Sequence, residues 1–200
     1  MIRDAYRFLI PALALGILSA VTGFKYIAGL LFILALFIAF FFRNPSRRIP
    51  DGKNLIVSPA DGKVVKISRS ESGDYCISIF LNIFDVHVNR SPISGKLTQL
   101  QYKRGKFKAA FDEQASQVNE QNIITVDGGD IQVTFKQIAG LIARRVVCWK
   151  RPGDRLEKGD LVGLIRFGSR VDVVLPGGVR IAVQVGDKVR GGSSVLGDYE

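Results

Sequence analysis

From Phe8 to Phe24 the chain runs seventeen residues without a charged side chain, and after Lys25 and Tyr26 it runs sixteen more, Ile27 to Phe42. Nothing else in the sequence restricts its folding as strongly. A spanning helix takes about 20 apolar residues, with a lower range near 17, so each run sits at the short limit. A secretory signal would show one apolar block and a small-residue cleavage site. Here two blocks end in a basic exit, "RNPSRR". The pattern predicts a helical hairpin within residues 1–50, either two short spans or a re-entrant wedge. The soluble alternative is a pair of core helices, but a domain of this size rarely hides helices so uniformly apolar. Six basic residues flank the runs (Arg3, Arg7, Lys25, Arg43, Arg47, Arg48) against one acid, Asp4. Basic residues at both outer ends place both on the cytoplasmic side, so the remainder is expected at the cytoplasmic face of the cell membrane.

The formal net charge of +10 is thus concentrated beside apolar segments, which points to an anionic membrane surface. Zinc-finger spacings and aromatic-rich RNA-binding signatures are missing, and no nucleic-acid partner is expected. The two cysteines, Cys76 and Cys148, form no CxxC pair and read as buried thiols in a reducing compartment. Clustered metal ligands, phosphate-cradling loops and dinucleotide fingerprints are also missing, so no metal site is expected.

From Asp51 the texture changes to short β-rich runs punctuated by glycine: "NLIVS", "GKVVKIS", "YCISIFL", "NIITV", "IQVTF", "RRVVCW", "DLVGLIRF", "VDVVL" and "RIAVQV". Turn signals at roughly eight- to twelve-residue spacing predict an all-β barrel or sandwich over 51–200. Helical signal is scarce, and "AAFDEQASQVNEQ" reads as a short helix or a flap. "GDRLEKGDLVG" (153–163) and "GDKVRGGSSVL" (186–196) align without gaps at an offset of thirty-three. That repeat suggests a pseudo-symmetric barrel-sandwich like those of biotinyl and lipoyl carriers. The fold class expected is therefore mainly β, with a membrane hairpin ahead of it.

Three features carry chemistry. His87, the chain's one histidine, is the default proton shuttle, since its ordinary pKa lies nearest neutrality. Asp61 sits in the turn "SPADGKVV". Two Gly-Ser bonds occur, Gly168-Ser169 and Gly192-Ser193. Gly192 falls on Gly159 in the repeat and reads as a turn glycine, whereas Gly168 in "LIRFGSRVDVVLP" needs another reason. A serine can be activated by a histidine that an aspartate orients. Ser169 lacks the strand-turn-helix elbow of a hydrolase nucleophile. Another known use of an activated serine after glycine is attack on the carbonyl that precedes it, and the bland alternative is a bulge at Gly168 with Ser169 facing water.

The segments "FFRNPSRRIP", "SPADGKVV", "FDVHVNRSPISG", "ASQVNEQN", "QIAGLIARRVVCW" and "GLIRFGSRVDVVLP" together resemble the short-form phosphatidylserine decarboxylases, a family that includes archaetidylserine decarboxylases. The resemblance runs from about Phe41 to the C-terminus. It implies self-cleavage between Gly168 and Ser169, a larger chain of residues 1–168 with a smaller chain of 169–200, and conversion of Ser169 to a covalent pyruvoyl group. That group would act as the electron sink for decarboxylation of a serine phospholipid in the membrane. By the same resemblance Ser169, His87 and Asp61 are the catalytic set, and Ser116 and Asn119 belong to a flap near the lipid headgroup. Longer family members carry a second histidine where this chain has Arg90. Two rivals remain, a membrane-anchored adaptor without catalysis and a biotinyl or lipoyl carrier. The adaptor predicts an uncut chain, and the carrier needs a lysine beside a methionine in a tight turn, whereas Met1 is the one methionine. Acyl or isoprenoid tails, and a homo-oligomer, are left open.

Overall fold

The computed structural model describes residues 1–108, 115–140, 145–166 and 169–200. The chain divides into two compact units, Met1–Ser46 and Arg47–Glu200.

In the first unit, α1 (Tyr6–Val21) and α2 (Lys25–Phe41) are joined by a turn at Thr22–Phe24. The turn precedes Lys25 because Gly23 adopts φ +86°, a conformation most side chains resist. The two helices fold back on each other. Gly16 lies against the Phe32 ring, Phe8 stacks on Phe42 at 5.8 Å, and the Ile2 amide donates to the Phe42 carbonyl (3.2 Å). Their outer faces are apolar and exposed, including Ile10, Ile17, Leu18, Leu30, Ile33 and Leu36. The segment Arg3–Val21 is long and apolar enough to cross a membrane, and Lys25–Phe41 is a shorter apolar helix. Nineteen helical residues extend about 28 Å, close to the hydrocarbon thickness of about 30 Å.

The second unit is mainly β, as its alternating texture predicts. Its strands are β1 (Leu55–Val57), β2 (Gly62–Arg69), β3 (Tyr75–Leu81), β4 (Val88–Arg90), β5 (Gly95–Lys103), β6 (Gln121–Asp127) and β7 (Gln132–Ile138). There follow β8 (Val146–Cys148), β9 (Arg155–Leu156), β10 (Leu161–Ile165), β11 (Ser169–Leu175), β12 (Arg180–Ile181), β13 (Lys188–Val189) and β14 (Val195–Asp198). A one-turn helix, α3 (Ala115–Val118), precedes β6. The large antiparallel sheet runs β13-β2-β3-β11-β7-β6-β5-β9, with smaller sheets β1-β14-β12 and β4-β10-β8. Bulges at Val64/Lys66 and Leu97/Gln99 add local twist to β2 and β5. The core lies between the large sheet and the small ones: Ile77, Ile79, Ile124, Phe135, Val171 and Val173 meet Ile56, Val162, Ile165 and Leu196.

The repeat seen in the sequence is part of a larger two-fold arrangement. The edge strands β9 and β13 occupy matching repeat positions, and the turn glycines 153, 159, 186 and 192 all have positive φ. Their partners repeat too. "SPADGKV" (58–64) and "SPISGKL" (91–97) also stand thirty-three apart. Gly62 pairs with Val189 as Gly95 pairs with Leu156. Val64 bonds Asp187 and Gly186 as Leu97 bonds Asp154 and Gly153. At the two-fold centre, Val57 donates to Pro92 and Arg90 donates to Pro59, both at 2.9 Å. The pseudo-symmetry pairs β11 with β7 at the middle of the large sheet, so the strand that opens with Ser169 is flanked on both sides.

Candidate active site

Ser169 is the first residue of β11 and stands opposite Leu81, the last residue of β3. In the adjoining small sheet Val88 pairs with Leu164, and the Ile165 amide donates to the His87 carbonyl (3.2 Å). Two pairings therefore bracket the same corner. The β3–β4 loop, residues 82–87, and the connection from β10 to β11 leave one strand pair and enter the other together. This brings His87 and Ser169 to one end of the sheet. Gly168, the other half of the expected cleavage site, lies outside the described residues.

The loop holding His87 is fixed by local bonds. The Asn82 amide donates to Asp85 Oδ2 (2.8 Å), and the Phe84 amide donates to Asn82 Oδ1 (2.8 Å). His87 is buried, with Nδ1 2.9 Å from the Asp85 carbonyl. A carbonyl only accepts, so Nδ1 carries the proton and Nε2 is the basic atom of the neutral ring. Ser169 is fully buried, and its Oγ has no hydrogen-bond partner among the described residues. Burying an unpaired hydroxyl costs stability.

Asp61 lies at the same sheet end, just ahead of β2. Arg47 Nη2 donates to both its oxygens (2.9 and 2.8 Å), and the Gly191 amide donates to Oδ1 (2.8 Å). Among the described residues, its carboxylate takes no bond from His87. In the other half of the pseudo-symmetric unit, Ser94 stands at the Asp61 position, and its Oγ accepts from the Lys158 amide (2.9 Å). The bond to Gly191 therefore belongs to the scaffold. What Asp61 adds is a charge, and that charge is met by Arg47. Arg90, which donates to the Gly159 carbonyl (2.8 Å), is pushed below its ordinary pKa by burial and then by Arg47, with Asp61 opposing. Gly62 is obligatory beside Asp61: its φ is +148°, and a Cβ there would come within 2.3 Å of the Phe80 carbonyl oxygen.

Ser116 and Asn119 hold the segment between β5 and β6. Asn119 is fully committed, with its Oδ1 accepting from the Lys108 amide (2.9 Å) and its Nδ2 donating to the Lys108 and Ala139 carbonyls (2.8 Å each). It ties Lys108 to Ala139, and its side chain has no N–H left for a ligand. Ser116 Oγ donates to Asp172 Oδ2 (2.6 Å). The residues "AAFDEQ" (109–114), ahead of both, lie outside the described residues.

Several residues here escape sequence reasoning. Arg170 Nε bonds Asp172 Oδ1 (2.7 Å), and its Nη2 donates to Ser78 Oγ (2.6 Å), all on the sheet face opposite the core yet buried. The signal was present, an Arg-x-Asp spacing inside a β-branched run, which puts two charges on one strand face. A second buried set, Asn122, Gln137 and Asn89, had no signal beyond amides in strand positions. Burial pushes the Cys76 thiol up, with Asp172 adding to it, and burial likewise raises Cys148.

The family model for phosphatidylserine decarboxylase matches residues 34–197. Three curated relatives are each named phosphatidylserine decarboxylase proenzyme. The protein of Solibacter usitatus is 50% identical over 188 residues, covering 92% of this chain and 91% of its own. That of Desulfotalea psychrophila is 42% identical over 202 residues (98% and 94%). The Carboxydothermus hydrogenoformans protein is 44% identical over 204 residues (98% and 95%).

Proposed function

The chain belongs to the phosphatidylserine decarboxylase family, and we propose that it is made as a proenzyme, cuts itself between Gly168 and Ser169, and converts phosphatidylserine to phosphatidylethanolamine. The observation that carries the residue assignment is the buried, unspent Ser169 hydroxyl at the sheet corner that also holds His87.

In this reading Ser169 Oγ bonds to the carbonyl carbon of the preceding peptide as its proton passes to His87 Nε2. The proton then goes to the Ser169 nitrogen, the C–N bond breaks, and an ester joins Gly168 to Oγ. Removal of the Ser169 Cα proton expels the Gly168 carboxylate by breaking the Cβ–O bond. Water then replaces the nitrogen, which leaves as ammonia, and residues 169–200 begin with a ketone. When present, that pyruvoyl group supplies an electron sink for loss of CO₂ from the serine headgroup. Seven consecutive residues of β11 pair with β3 and five with β7, so the cut chain keeps its new terminus in place.

His87 serves both as base in processing and as the proton donor to the substrate's α carbon. Asp61, beside Arg47, sets the local charge at that end. Asn119 and Ser116 act through the loop they anchor, at the headgroup. The apolar helix Arg3–Val21 supports membrane association, with the catalytic unit on the cytoplasmic face from the basic flanks. The test is purified protein with phosphatidylserine in mixed micelles, following CO₂ release and phosphatidylethanolamine. Both appear with the native chain and neither with Ser169→Ala. Equal turnover by the variant would refute the assignment.

A further inference from the structure

Resting on that reading, we propose that Asn89 is an additional catalytic residue, whose side-chain N–H receives the carbonyl oxygen that turns negative when Ser169 attacks, and that Gln137 is the residue that aims it. Asn89, Gln137 and Asn122 form a buried amide chain between the small sheet carrying His87 and the large sheet carrying Ser169. Asn122 Nδ2 donates to Gln137 Oε1 (3.0 Å), and Gln137 Nε2 donates to Asn89 Oδ1 (2.8 Å) and the Val147 carbonyl (3.4 Å). The Val147 carbonyl can only accept, so it fixes which end of the Gln137 amide faces Asn89. Asn89 must then present its oxygen to Gln137 and its nitrogen elsewhere. That nitrogen is buried, and among the described residues it has no partner. Asn89 is 0% exposed, so water does not satisfy it from outside.

The register puts this unspent donor over the face of the large sheet that carries Ser169. His87 immediately precedes β4, Asn89 is the middle residue of that strand, and Asn89 reaches the large sheet at Gln137. Gln137 pairs with Val171, and Ser169 lies two residues earlier on the same face of β11. The corner thus holds an unpaired hydroxyl, a base and an unpaired donor on facing surfaces. An addition to a carbonyl needs those three parts, and the third has no structural use here. Nothing in the step requires a further reactant: the Oγ–C bond forms, the proton goes to His87, and the electron pair resides on the oxygen that Asn89 receives.

The experiment follows cutting of freshly synthesised full chain by gel and intact mass, for the native sequence, Ser169→Ala, Asn89→Asp, Asn89→Ser and Gln137→Glu. Asn89→Asp keeps the acceptor for Gln137 and removes the donor, and cutting is expected to slow about 10²–10³-fold. Asn89→Ser is neutral and smaller, and it gives the same loss if the carboxylate variant does not fold. Gln137→Glu cannot donate to Asn89, which turns its N–H inward; the buried acid lowers the melting temperature, and cutting of the folded fraction well below that temperature still slows. Hydroxylamine, which cleaves an accumulated ester, leaves the slow variants slow, because the addition itself is impaired. Cutting of Asn89→Asp and Asn89→Ser at the native rate, or their rescue by hydroxylamine, would overturn this proposal alone. A native chain that does not cut would overturn the self-processing reading beneath it.

Discussion

The Arg170–Asp172 pair offers a stability prediction with an internal control. Both side chains are nearly inaccessible, at 7% and 3%, so solvent screening does not discount their interaction. Breaking a buried pair by removing one partner typically costs about 3–5 kcal/mol, because a charge is left uncompensated. The surroundings make the two removals unequal. Lys136 stands directly opposite Asp172 in β7. Asp172→Asn therefore strands Arg170 beside a second cation, and the cost falls near the top of that range. Arg170→Met leaves Asp172 with Lys136 opposite and Ser116 donating to it, and the cost falls near about 3 kcal/mol or below. Replacing both, Arg170→Met with Asp172→Leu, trades the pair for apolar contact, which ranges from neutral to about 4 kcal/mol stabilising. The hydroxyls of Ser78 and Ser116 then each lose a partner at about 1 kcal/mol, so the double variant should lie near the native value. Urea unfolding in mild detergent measures this, on a Ser169→Ala background that keeps every molecule a single chain. A cost under about 1 kcal/mol for Asp172→Asn, or a larger cost for Arg170→Met, would refute the reasoning.

Other consequences follow from single contacts. Gly62→Ala, with its Cβ forced onto the Phe80 carbonyl, should lower the melting temperature and slow self-cutting; Gly178→Ala, where nothing lies within 4 Å, should do neither. Asn119→Ala removes three hydrogen bonds and should cost about 2–3 kcal/mol at roughly 1 kcal/mol each, measured by thermal unfolding. Cys76 and Cys148 are raised above their ordinary value by burial, so at any given pH alkylation of the folded protein should be slower than alkylation of the unfolded chain. The sign for stability follows: preference for the neutral thiol is fully present below the unfolded-state pKa and is lost as pH rises through the raised one. Asp172→Asn should speed alkylation of Cys76, which feels that carboxylate, and leave Cys148 unchanged.

Much of this architecture is written in local pattern. The apolar runs mark α1 and α2 because no charge interrupts them, and the β-branched runs mark the inner strands because both of their faces are buried. β5 was not among those runs. "GKLTQLQYK" is mostly polar and solvent-facing, and it is a strand because β6 and β9 pair with it. The two-fold was half visible, since the "GD" turns repeat in sequence, whereas "SPADGKV" and "SPISGKL" became a matching pair only through the bonds they share. At the site, Ser169, His87 and Asp61 were legible as residue types, and the strand register explains why the first two stand at one end of the sheet. The partners of Asp61 were not legible, because Arg47 lies fourteen residues away with no periodic relation to it. The Asn89–Gln137–Asn122 chain was hidden for the same reason: amides in strands look like surface residues until two sheets close over them.

The central claim is that this chain cuts itself at one serine. Intact mass spectrometry of the purified native protein beside Ser169→Ala tests it most directly. The account predicts two native chains, 1–168 and 169–200, the smaller beginning with a keto group in place of serine, and one uncut chain for the variant. A folded native protein that stays whole, or one cut at Gly192-Ser193, would contradict it.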